Sequence, residues 1–206
     1  SRFLLRDDSR KVGGAKSTVK TSHEQAALLS QMEAYWDDAA ERSVASIMRG
    51  FRDDKSPWLQ AARCLMQHEK EKYYEDIKQI VKQLPIDTWQ KMNTKASVVQ
   101  LLLSERAAAH RRNETGALDP VPLPPLDSEL LAIGFALLKA MEGHKNGFGY
   151  FLALDLGDYV GQEFQPDRKD GNYDGENGLK EEFFSDCSQN ALDWWEENKQ
   201  NYVRKP

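Results

Sequence analysis

Oxygen-bearing side chains recur at fixed spacing in one segment, Asp170 to Glu181 (DGNYDGENGLKE). The segment fits D-x-[DN]-x-[DN]-G-x5-E. Asp170, Asn172 and Asp174 alternate along it. Hard cations such as calcium take six to eight oxygen ligands, and carboxylates and carbonyls at alternate positions of a tight loop can converge on one.

These twelve residues resemble the calcium loop of an EF-hand. The resemblance implies side-chain ligands from Asp170, Asn172 and Asp174. It implies a backbone carbonyl from Glu176 and a bidentate carboxylate from Glu181, with Gly175 at the sharp turn. Asn177 stands where that loop normally carries an aliphatic residue, Pro166 interrupts the entering helix, and the chain holds no second such loop. The competing reading is an acidic turn without metal, whose carboxylates favour a helix N-terminus. Nothing else in the chain asks for a cofactor.

Other chemistry is sparse. His23, His68, His110 and His144 do not pair with cysteine or with each other at zinc spacing. Cys64 and His68 share a helix face, but nothing nearby completes a site, and a buried cysteine is the ordinary outcome. GGAKST lacks the glycine that a phosphate loop places before its lysine. There is no G-x-S-x-G elbow and no Glu-x-x-His for a helical diiron centre. Asp37-Asp38, Asp53-Asp54 and Glu181-Glu182 are adjacent in sequence and do not face one substrate. Catalysis is therefore not expected. Trp194-Trp195 is the remaining feature. Neighbouring helix positions point about 100° apart, so one indole can be buried and the other left near the surface, on a helix bearing Asp193, Glu196 and Glu197. An exposed tryptophan in such a setting has the makings of a binding hot spot. Both being partly buried is the alternative.

The elements that must position these residues are helical. Residues 1–21 read as a flexible polar arm. A capping box at Ser22 and Gln25 starts helix one, whose apolar positions step by three and four from Leu28 to Phe51. Ser56-Pro57 opens a second helix, which runs to Pro85 with a solvated turn at Gln67 to Lys72. Asp87 is the expected cap of the third, which ends near His110-Arg111-Arg112. Residues 113–126 hold Pro120, Pro122, Pro124 and Pro125 and favour an extended connection. Asp127 or Ser128 caps a fourth, largely apolar helix that ends before Gly143. Residues 148–160 suit a buried helix or two short strands, the helix fitting better. A last helix begins near Leu179. The expected fold is all-α: one domain over residues 22–206, a bundle of five or six helices. Three long helices would fill 22–112, and 127–206 would hold the C-terminal helices and the acidic loop.

At 206 residues the chain has enough length to bury a core unaided. It is 40% hydrophobic and 30% charged with net charge −5, which excludes a membrane span and disfavours nucleic-acid binding. Two cysteines indicate thiols in a reducing, cytoplasmic setting. The N-terminal SRFLLRDDSRK has too short an apolar stretch for a secretory signal. In size, acidity and aromatic-rich helices the chain resembles the helical immunity proteins that bacteria encode beside polymorphic or contact-delivered toxins. That resemblance implies protection against a cognate toxin, often a nuclease, by direct binding. The binding surface would be acidic and Trp-containing: Asp170, Asp174, Glu176, Glu181, Trp194 and Trp195. A calcium-binding helical module and an enzyme with a scattered site are the alternatives.

Overall fold

The computed structural model describes residues 29, 34–49, 58–116, 119–142, 148–166, 173–174, 178–179 and 181–202. Among them are seven helices: α1 (Asp38–Arg49), α2 (Trp58–His68), α3 (Lys70–Gln83), α4 (Trp89–Glu114), α5 (Ser128–Ala140), α6 (Phe148–Val160) and α7 (Glu181–Tyr202). The all-α class is observed, with one helix more than the largest number expected. A two-stranded antiparallel hairpin, β1 (Tyr173–Asp174) with β2 (Gly178–Leu179), is the exception. The N-terminal arm, the Ser22–Gln25 box, Ser56-Pro57 and Gly143 lie outside the described residues. The chain divides into two compact units between Tyr73 and Tyr74, within α3.

In the first unit α1 packs on α2 around Val44, Ala45, Met48, Trp58, Ala61 and Leu65, all buried. The long first helix expected through residues 22–51 is interrupted at residues 35–37. Asp37 provides the physical reason. Its Oδ1 accepts from the N–H groups of Ala39 and Ala40 at 2.9 and 2.7 Å, which caps a new helix start. Tyr35, assigned to the apolar face, is 82% exposed at that break. The additional helix arises at Glu69, inside the stretch read as a solvated turn. Glu69 N–H still donates to Leu65, and its carbonyl accepts from Lys72 and Tyr73, so α2 ends and α3 begins on one residue. His68 stacks on Trp36 there, with ring centroids 4.3 Å apart. Glu41 is buried and receives hydrogen bonds from Lys72 and from the Tyr73 hydroxyl, the latter at 2.5 Å.

In the second unit α5 is central, touching α4, α6 and α7. Leu130, Leu131, Phe135, Leu137 and Leu138 are all buried, as expected of a helix with little polar face. Residues 148–160 form a helix. Thr88, rather than Asp87, caps α4: its side chain accepts from Lys91 N–H, while Asp87 instead pairs with the Lys91 ammonium at 3.0 Å.

The proline-rich connection cannot satisfy its own backbone, so side chains do it. Asn113 clamps Val121, accepting from its N–H at 2.8 Å and donating to its carbonyl at 2.9 Å. Arg106 donates to the carbonyls of Pro124 and Tyr159. The Tyr159 hydroxyl accepts from Asp127 N–H at 2.8 Å. Asp127 is the cap of α5, as expected, with Oδ1 at 3.0 Å from the N–H groups of Glu129 and Leu130. Its other oxygen accepts from Lys78 at 2.7 Å and from the Tyr74 hydroxyl at 3.1 Å. Burial pushes both tyrosine hydroxyls up, which keeps the Tyr74 hydroxyl protonated as a donor to Asp127.

Candidate functional site

The site is a groove of about 480 Å³ lined by Gln100, Arg111, Phe151, Leu154, Asp155, Asp158 and Gln165. Two helices build it. Gln100 and Arg111 stand eleven residues apart on α4, close to three full turns, so they share a face. Phe151, Leu154, Asp155 and Asp158 follow the i, i+3, i+4, i+7 spacing of one α6 face. These helices make the most extensive helix–helix contact among the described elements, which fixes the two rows opposite each other. Gln165 arrives from the chain after α6. Gly161 turns that chain with φ +75°, and Gln162 N–H returns to the Gly157 carbonyl at 2.9 Å, the closing bond of a Schellman motif. A Cβ on Gly161 would meet His110 Nε2 at 2.5 Å.

Electrostatically the groove holds two carboxylates and one guanidinium. Arg111 Nη1 hydrogen-bonds Asp158 Oδ2. Its distance to Asp155 Oδ1 is 3.6 Å, too long for a hydrogen bond. Asp155 Oδ2 accepts from Gln100 Nε2 at 2.8 Å. Burial raises the Asp155 carboxyl above the ordinary aspartate range, against the lowering effects of Gln100 and Arg111. Phe151 forms an apolar wall and is 55% exposed. A concave site with an exposed aromatic ring and a desolvated carboxylate fits the general pattern of binding sites.

The raised carboxyl has a testable consequence. A folded state that holds this proton more tightly than the unfolded chain loses stability as pH rises through the raised value. The charge of Asp155 is thus a cost at neutral pH, relieved as pH falls. Asp155→Asn is expected to leave the urea midpoint at pH 7 unchanged or higher. A drop of more than about 1 kcal/mol would show that the pairing with Gln100 and Arg111 outweighs the burial.

The residues singled out from the sequence fall elsewhere. Asp170, Asn172, Gly175 and Glu176 lie outside the described residues; Asp174 is in β1 and Glu181 opens α7. Among the described residues no three His, Cys, Asp or Glu side chains gather as a metal site. No described helix is long and apolar enough to cross a membrane. Cys64 and Cys187 are both buried, and burial pushes the Cys187 thiol up to about 12. Trp195 is buried and stacks on Phe135 at 4.5 Å. Trp194 is half-buried beside Phe135, Phe164 and Tyr202, so of the pair it is the one that retains surface.

Sequence reasoning did not find the groove. Asp155 and Asp158 were not singled out, and Arg111 entered only as a cation at a helix end. The available signal was two aspartates three apart in the otherwise apolar FLALDLGDYV. It could be read only once that segment was known to be a helix. No family model, curated protein or solved structure matches the chain.

Proposed function

We propose that this protein is a stoichiometric inhibitor that binds a basic protein, in the manner of a bacterial immunity protein neutralising its toxin. The observation that carries the reading is the segregation of charge. From Asp155 to Glu197 the chain holds thirteen acidic residues and three basic ones, net −10 in a chain whose total is −5. On α7 the acids lie outward: Glu182, Asp186, Asp193, Glu196 and Glu197 are exposed, while Phe183, Cys187, Ala191, Leu192 and Trp195 face the core. Lys199 is the basic residue of this helix, paired with Glu196 at 2.5 Å. Concentrated charge of one sign repels itself, and a cationic partner relieves that repulsion and is steered toward it. Trp194 sits between the buried and acidic sides of α7 and offers an aromatic anchor within the charged field. Asp170, Asp174, Glu176 and Glu181 belong to the same charged stretch and form part of the proposed surface. A nuclease toxin, with a basic cleft for its substrate, is the partner of choice.

The test uses the purified product of the neighbouring open reading frame. Binding is expected to associate more slowly as salt rises. Asp186→Asn, Asp193→Asn, Glu196→Gln and Glu197→Gln together are expected to slow association and flatten its salt dependence, leaving dissociation nearly unchanged. Trp194→Ala is expected to speed dissociation at a cost of about 2 kcal/mol. Absence of binding at micromolar concentrations, or binding indifferent to both sets of changes, would overturn the reading.

A further inference from the structure

The outer face of α7 offers charge; the groove between α4 and α6 offers charge and concavity. Its carboxylates outnumber its cation by two to one, with Asp155 and Asp158 against Arg111. Asp155 Oδ1 lacks a hydrogen bond from Arg111, and the carboxylate carrying it is partly withdrawn from water. The Phe151 ring stands in the open beside them, 55% exposed on an apolar helix whose neighbours Leu152 and Ala153 are buried. An occupant must therefore be cationic at one end and able to lie against an aromatic face.

We propose that the groove receives an arginine side chain of the protein partner, the guanidinium bridging Asp155 and Asp158 and lying over Phe151. The molecule already shows part of the chemistry, because the Arg111 guanidinium is hydrogen-bonded to Asp158 and lies 3.6 Å from Asp155. Arginine fits better than lysine for two physical reasons. Its planar fork of donors can satisfy two carboxylates at once, and its weakly hydrated plane stacks on an aromatic ring. A groove of about 480 Å³ is large enough for one long side chain. The inference rests on the protein-binding reading above and names the group that the partner would insert.

The experiment titrates N-acetyl-arginine methylamide into the full chain and follows backbone amide shifts. The lysine and norleucine derivatives serve as comparisons. Saturable shifts are expected at residues 151–158 and at Arg111 with the arginine probe, in the millimolar range natural to one side chain. The lysine probe is expected to bind several-fold more weakly, and norleucine not at all. Asp155→Asn with Asp158→Asn is expected to weaken the arginine probe about tenfold. Phe151→Ala is expected to bring arginine down to the lysine level, and the remaining amide spectrum reports that each variant stays folded. Equal shifts with norleucine would mark a merely apolar pocket and overturn the proposal. So would arginine shifts confined to α7, or no saturation at all. Because the probe is a single amino-acid derivative, its failure leaves partner binding through α7 standing. Failure of partner binding with the probe still bound would overturn the inhibitor reading instead.

Discussion

Replacing Phe135 by alanine is expected to lower the unfolding free energy by about 4 kcal/mol. Phe135 is 1% exposed and lies in the central helix α5. Its ring stacks on Trp195 at 4.5 Å, with 6° between the planes, and meets Trp194 at 6.1 Å. Truncation removes the buried ring, leaves a cavity and forfeits aromatic contacts worth about 0.5–1.5 kcal/mol each. The surrounding rings are rigid, so the cavity cannot readily collapse. Urea denaturation should show a lower midpoint with an unchanged slope. A loss below about 1 kcal/mol would contradict this packing. Phe151→Ala is the internal comparison: that ring is exposed, and its removal should cost no more than about 0.5 kcal/mol. The same packing bears on function. Trp194 is held half-buried by Phe135, Phe164 and Tyr202, so under the proposed inhibitor reading Phe135→Ala should also speed release of the partner.

Asp127→Ala is expected to cost about 3 kcal/mol, by a different route. The carboxylate has two tasks. Oδ1 caps α5, and a lost cap costs about 1 kcal/mol. Oδ2 holds Lys78, whose side chain is only 7% exposed. Without Asp127 that ammonium keeps Glu75 at 2.9 Å and Glu129 at 3.7 Å, but both carboxylates are more than a third exposed and screened by water. Stranding a buried charge can cost 3–5 kcal/mol, and Glu75 offsets part of it. Asp127→Asn keeps an oxygen for the cap and loses only the charge, so its loss should be smaller. Burial alone would raise this carboxyl, yet the hydrogen bonds from Lys78 and from Leu130 N–H outweigh it and hold it below the ordinary range. A carboxylate depressed in the folded state stabilises the fold above its unfolded pKa, and that stability is lost as pH falls through the folded value. As pH falls below about 4 the wild-type protein should therefore lose more stability than Asp127→Asn. Equal acid limbs would show that Lys78 is satisfied without Asp127.

The helical class, the α5 cap and the absence of helix across the described part of the proline segment were legible in the sequence because each rests on local physics. A side-chain period near 3.6, a short carboxylate before an apolar run and the fixed φ of proline act within a few residues. Only the tertiary structure decided what depended on distant partners. Residues 148–160 are apolar on nearly every side, so their periodicity could not distinguish a helix from strands; packing against α4 and α5 did. The break at Glu69 preserves its backbone hydrogen bonds, so no proline or glycine marks it. Trp194 and Trp195 differ in burial because Phe135, sixty positions before Trp195, stacks on the second. The groove is the extreme case. Gln100 and Arg111 are ordinary polar residues of a long helix, and Asp155 and Asp158 ordinary acids of another. They become a site only because α4 and α6 pack face to face, where burial raises a carboxyl that water would otherwise leave unremarked.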